Sequence, residues 1–414
     1  MKKNNYFKLC VAIAIIFIAA SCNKNADKNF TQANNNPKTV TEEMMSESGA
    51  NPDEQSITVE STAASNNTES AVGNSNGHYL YTESNEAGNN RILVYKIKYN
   101  GSLNYEGATA SGGMGTGAIL GSSQGALVLD KEHEWLYAVN AGSNSVSSFK
   151  VNNDGSVTLA DTQNSGGMQP FSVSVSGNLL YVLNHGSDNI QGFRITENGK
   201  LHPIQNSNQP LSSKAVDAPQ ISFTPNGDFI VVTEKTTNVI ATFKVKNNGS
   251  VNAGLFTTSV GATPFGFAFS RNQFMIVSNA EGGTANAGSA TSYTIEGNGK
   301  LNDINGAIKD FGTAPCWFAV TKYGRFAYTT NTATNNISSY YVAPWGGIYL
   351  VQKEAATTDT QPLDIVVAAN NYFVYELNGT AHSIGGYHRT FFGGLQSMGS
   401  TPNLPTGSSG LATY

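Results

Sequence analysis

The residues of this 414-residue chain best suited to acid–base chemistry are Glu234 with Lys235, His185, and Asp217 with Gln220. A carboxylate beside a lysine, with a histidine brought in from an earlier part of the chain, could bind a polar ligand or move a proton. A solvated ion pair and an exposed imidazole are the simpler reading of the same types, and burial distinguishes the two. Asn140 and Asn184 close two copies of a repeated phrase and are further candidates for ligand contact, although Asn at such places ordinarily ends a strand and caps its turn. Other motifs lack their context. Gly121-Ser122-Ser123-Gln124-Gly125 has the spacing of a nucleophile elbow, but no helix follows it. Gly113, Gly115 and Gly117 have neither a helix nor a lysine behind them to hold phosphate. The histidines and acids show no metal-ligand spacing, so neither a metal nor a cofactor is predicted.

These residues are positioned by a repeat. Its first phrase is an apolar strand centred on Tyr81, Tyr137, Tyr181, Val231, Ile276, Tyr328 and Tyr375, at intervals of 44 to 56 residues. Its second is a proline turn opening an apolar strand, as at Gln169-Pro170-Phe171, Thr263-Pro264-Phe265, Ala314-Pro315-Cys316 and Gln361-Pro362-Leu363. Tyr, Val, Ile, Phe and Thr dominate, and Asp154-Gly155, Asn198-Gly199 and Asn248-Gly249 supply hairpin turns. A period of this size, with several strands in each copy, predicts an all-β, seven-bladed β-propeller of four-stranded blades over residues 76–414. The first copy lacks an innermost strand and the chain ends with a spare one after Pro402, so the C-terminal strand is expected to complete the N-terminal blade. In such a blade the proline turns and the ends of the Tyr-centred strands share one face. Ser84, Asn140, Asn184, Glu234, Asn279, Asn331 and Asn378 therefore converge on one mouth of the central channel.

Composition narrows the function classes. Charged residues are 13% of the chain and the net charge is −5, which leaves no electrostatic footprint for nucleic acid. Lys2, Lys3 and Lys8 precede an apolar run and Ala19-Ala20-Ser21-Cys22, the form of a secretory signal over 1–21. Residues 22–75, rich in Asn, Ser, Thr and Glu, read as a flexible tether. Cys316 has no partner for a disulfide and reads as a small buried residue.

Two resemblances add to this. The segment ending at Cys22 resembles a bacterial lipoprotein signal, which implies lipidation at Cys22, a membrane anchor and a place in the cell envelope. Leu180-Tyr181-Val182-Leu183-Asn184-His185-Gly186-Ser187-Asp188-Asn189-Ile190, with the copy ending Asn144-Ser145-Val146, resembles the seven-bladed lactonase propellers. Those are the 6-phosphogluconolactonase-like and carboxymuconate-cyclase-like proteins and their Tyr-Val-Thr-Asn-repeat relatives. Lactonase members carry an Arg-His pair at the start of an inner strand and Asn-Glu after the next turn. Here Phe223, Pro225, Gly227 and Glu234 keep that frame, but Pro219 and Gln220 stand where Arg and His are expected. The leading expectation is an envelope protein that binds a small polar ligand or an envelope protein partner through the mouth, using Lys235, Asp217, Gln220, Asn184 and Asn140. The alternative is metal-independent lactone hydrolysis, with Glu234 or His185 activating water and Lys235 steering an anionic substrate.

Overall fold

The computed structural model describes residues 78–414; Cys22, the signal segment and the tether lie outside the described residues. Seven antiparallel sheets form the blades of a propeller. Their second strands are His78–Glu83, Trp135–Asn140, Leu179–Asn184, Phe229–Glu234, Met275–Asn279, Phe326–Asn331 and Phe373–Asn378. These strands are almost wholly buried because each is covered on both faces by the neighbouring blades, which is why they read as continuous apolar runs. Outer strands such as Leu103–Ala110 and Val157–Asn164 alternate or are largely exposed. The ring closes as expected. Ser409–Thr413 pairs with His78–Glu83 as the innermost strand of blade 1. In blade 3 the outer strand is split into Leu201–Pro203 and Gln209–Pro210, where two prolines without backbone donors interrupt the ladder.

The repeated Tyr and Gly belong to one interblade contact. Tyr81, Tyr181 and Tyr375 donate hydrogen bonds of 2.7–2.8 Å to the carbonyls of Gly155, Gly249 and Gly101, each in the third-to-fourth hairpin of the next blade. Gly155 has φ 79°, and a Cβ there would lie 2.3 Å from the Tyr79 ring, so both conformation and space require glycine.

The innermost strands face a different problem: each has one backbone edge turned to the axis with no strand to pair with. Side chains of the preceding blade cap these edges. The Ser172 hydroxyl accepts from Ile221 N at 3.1 Å. The Gln220 amide bonds both N and O of Phe267, at 2.6 and 2.9 Å. The Asp364 carboxylate accepts from Leu411 N at 3.0 Å. Blade 5 has Gly266 at this register and so has no inner-strand side chain for Phe318, although its Ser278 hydroxyl donates to the Cys316 carbonyl. Gln124 supplies the cap from across the axis, bonding N and O of Phe318 at 3.1 and 2.7 Å. Beside it the Trp317 indole donates to the Ser123 carbonyl at 2.5 Å. The segment 121–125 thus spans the channel, tied also to Pro219 and Phe171. A Cβ on Gly266 would lie 1.9 Å from Gln124 Oε1, so glycine is what admits the crossing side chain. Gly266→Ala is expected to cost roughly 1–3 kcal/mol, read as a lowered urea midpoint.

Several carboxyl groups are buried without a cation. Burial pushes Glu83 and Glu376 up to about 8, Asp364 to about 7 and Asp310 to about 6. Two of them hold the closing strand: Glu83 accepts from the Ser409 hydroxyl at 2.7 Å and Asp364 from Leu411 N. In the unfolded chain such groups ionise near pH 4, so between about pH 4 and 8 the folded protein holds more protons than the unfolded one. Their contribution to stability therefore falls as pH rises. His133, lowered by burial, opposes this only on the acid side. Raising pH from about 5.5 to about 8.5 is expected to lower the urea midpoint, and Glu83→Gln with Asp364→Asn to flatten that slope.

Candidate functional site

The site follows from one register position. The residue immediately after the second strand is Ala141, His185, Lys235, Ala280, Thr332 and Gly379 in blades 2 to 7. It is small or a hydroxyl everywhere except in blades 3 and 4, which are adjacent. The backbone N–H of this residue bonds the turn that opens the inner strand, at Gln169 for His185, Thr263 for Ala280 and Ala314 for Thr332, and in blade 4 at Asp217 for Lys235. The turn residue is left-handed in all of them, with φ between 50° and 62° at Gln169, Asp217, Thr263, Ala314 and Gln361. In blade 4, Ala218 intervenes before the proline, and the bulge found at the start of the neighbouring inner strands is absent. Asp217 is thereby placed at a position that other blades fill with an uncharged residue.

Three predicted residues come together as a result. Lys235 Nζ lies 2.8 Å from Asp217 Oδ2, and His185 Nδ1 lies 3.8 Å from Asp217 Oδ1. Nδ1 is also 3.3 Å from the Ala218 carbonyl. A carbonyl oxygen can only accept, so Nδ1 carries a proton in this contact, and in the neutral ring the lone pair then lies on Nε2. The His185 ring stacks on Phe171 with centroids 4.0 Å apart, and Lys235 Nζ sits 5.0 Å from the centre of the Phe265 ring. Lys235 donates to Ser122 Oγ at 2.6 Å, which leaves the Ser122 hydroxyl proton free to donate elsewhere. The side chains of His185, Lys235 and Asp217 are 21%, 14% and 39% exposed, so they are held by packing yet open to solvent.

The other predicted residues are committed to structure. Glu234 and Lys235 are consecutive at a strand end and leave on opposite sides. The buried Glu234 carboxylate accepts from Ser212 N at 3.0 Å, from Thr237 Oγ1 at 2.7 Å and from the Ser212 hydroxyl. Asp188 bonds Ala215 N and Val216 N at 2.8 and 3.2 Å, so two carboxylates brace the loop that presents Asp217. Gln220 is the edge cap of blade 5. Asn140 is buried, donating to Ser147 at 2.9 Å and accepting from Asn90 and Ser111. Asn184 is buried and donates to the Ser165 carbonyl at 3.0 Å.

Ser122, Phe171 and Phe265 were not among the predicted site residues. The aromatic pair had a legible signal, since both follow the repeat's proline. Ser122 lies in the glycine-flanked motif that no helix follows, and only the cross-axis path of that segment brings it to Lys235. Among the described residues, no three His, Cys, Asp or Glu gather in a way that could hold a metal ion.

The fold is thus a closed seven-bladed ring with His185, Asp217 and Lys235 gathered at one mouth. The sequence matches the family described as lactonase, 7-bladed beta-propeller, over residues 115–218 and 206–309, and the chain is a lactonase-type seven-bladed propeller. Among solved structures it is similar to a candidate 6-phosphogluconolactonase of Bacteroides fragilis, with TM-score 0.68, 15% identity, and coverage of 83% of this chain and 100% of the other. It is similar also to a candidate 6-phosphogluconolactonase of Bacteroides uniformis, with TM-score 0.67, 17% identity, and coverage of 82% and 99%. A periplasmic gluconolactonase of Pseudomonas aeruginosa gives TM-score 0.64, 16% identity, and coverage of 81% and 98%. At these identities the likeness is one of fold. A search of curated proteins finds no match.

The geometry sets two expected outcomes. Nitrogen-15 spectra of His185 at alkaline pH are expected to show protonated Nδ1 and unprotonated Nε2; the opposite tautomer would exclude donation from Nδ1 to the Ala218 carbonyl. Gln220→Ala, which leaves both polar groups of Phe267 unpaired, is expected to cost roughly 1–3 kcal/mol in denaturant unfolding.

Proposed function

We propose that the mouth opens a lactone ring by general-base hydrolysis. The observation that carries this reading is the His185 ring, with its Nδ1 proton turned to Ala218 and Asp217 and its Nε2 free. In this scheme Nε2 takes a proton from water as the oxygen adds to the lactone carbonyl, and Asp217 favours the imidazolium that forms. Lys235 and the Ser122 hydroxyl donate to the carbonyl oxygen as it gains charge. The tetrahedral intermediate collapses, the ring oxygen leaves and takes the proton back from Nε2, and the product is the open-chain hydroxy acid. The family match and the fold of the neighbours support this over simple ligand binding. His185 here takes the role that the sequence had shared with Glu234, whose oxygens are occupied by Ser212 and Thr237.

One observation favours binding without turnover: Pro219 and Gln220 occupy the places of the Arg-His pair, and Gln220 is spent on Phe267. Purified protein incubated with an aldonolactone separates the two. Ring opening is expected to exceed buffer hydrolysis, and His185→Ala to lower kcat by about 10²–10⁴-fold with Glu234→Gln acting chiefly on stability. Opening at the buffer rate, or unchanged in His185→Ala, would exclude the mechanism. For location, we propose a lipid anchor at Cys22 in the cell envelope, supported by the residues around it. Cys22→Ala is expected to shift the protein out of the membrane fraction.

A further inference from the structure

Building on the ring-opening reading, we infer that the mouth selects an uncharged hydroxylated lactone and discriminates against a phosphorylated one. The ammonium of Lys235, which shares Asp217 with His185, is already paired with that carboxylate at 2.8 Å and spends a further proton on Ser122. Lys214 stands further out on the rim, exposed, with Nζ 3.3 Å from the Ser187 carbonyl. Against these two cations the same stretch of rim carries the carboxylates of Asp217 and Asp188, while Glu234 is buried on the other side of its strand. Blade 5 adds Glu281, bonded to Ser289. A phosphate dianion entering here meets no net positive charge.

Phosphate recognition usually relies on arginine forks or backbone N–H groups at a helix start. Of the chain's arginines, Arg91 is held by Glu86 at 2.7 Å. Arg194, Arg271, Arg325 and Arg389 lie at strand ends away from the mouth. Among the described residues the one short helical turn, Glu281–Gly283, carries a glutamate in its first position. What the mouth does offer suits a neutral sugar lactone. The His185–Phe171 stack and the Phe265 ring give apolar surface, and Ser122, Asp217 and the Ser187 carbonyl give hydroxyl-sized hydrogen-bond partners.

The test compares kcat/KM for glucono-δ-lactone and its 6-phosphate. The neutral lactone is expected to be preferred by about tenfold or more, and Asp217→Asn, by releasing the charge of Lys235, to shrink that ratio several-fold at low salt. A loss shared equally by both substrates in Asp217→Asn would mark Asp217 as structural only and remove the charge argument. Equal or greater activity on the phosphate would overturn the inference. If neither lactone is opened, calorimetric binding of glucono-δ-lactam and its 6-phosphate reads the same selectivity. Tighter binding of the neutral lactam would then keep the inference while ending the ring-opening reading. Tighter binding of the phosphate, or binding of neither, would overturn it.

Discussion

Seven sheets arranged radially leave seven backbone edges facing a common axis, and no strand is available there to pair with them. Buried amide groups without partners are costly, so this edge constrains every residue near the axis. The chain meets it with side chains that imitate a strand: a glutamine amide offers one donor and one acceptor at the spacing of a backbone pair. Once Gly266 leaves one edge without such a side chain, a segment from the opposite side of the ring must supply it. The route taken by that segment then brings a serine hydroxyl to the lysine of blade 4. The mouth is in this sense a by-product of edge satisfaction.

The candidate site also shows how a repeat protein acquires asymmetry. Identical blades would present identical small residues around the opening, as Ala141, Ala280 and Gly379 do. Two neighbouring substitutions, His185 and Lys235, and one inserted residue before Pro219 make an asymmetric cluster on an otherwise regular ring. Asp217 takes a left-handed backbone with φ 52°, which Asp tolerates better than most side chains. Its loop is braced by Asp188 and Glu234, acids whose oxygens are taken up by backbone and hydroxyl donors.

The fold was largely legible because its determinants are periodic and local. Tyr in the second strand, Gly in the outer hairpin and Pro before the inner strand each recur, and the surplus strand at the C-terminus announced the closure. The site was partly legible for the same reason: His185, Asp217 and Lys235 stand out as departures from the repeat. What sequence could not show was direction. Glu234 and Lys235 are adjacent letters whose side chains leave a strand end on opposite sides, and one reaches the mouth while the other holds a loop. Nor could it separate Gln220 as an edge cap from Gln220 as a ligand contact, since both roles use the same amide. Ser122 depends on a contact across the ring, between segments 113 residues apart, and no local pattern encodes that.

Ser123 and Gln124 meet Trp317 and Phe318 across the axis between blades 2 and 6. Opposite blades are thereby coupled directly as well as through their neighbours, a cross-brace set by one glutamine and the glycine that makes room for it.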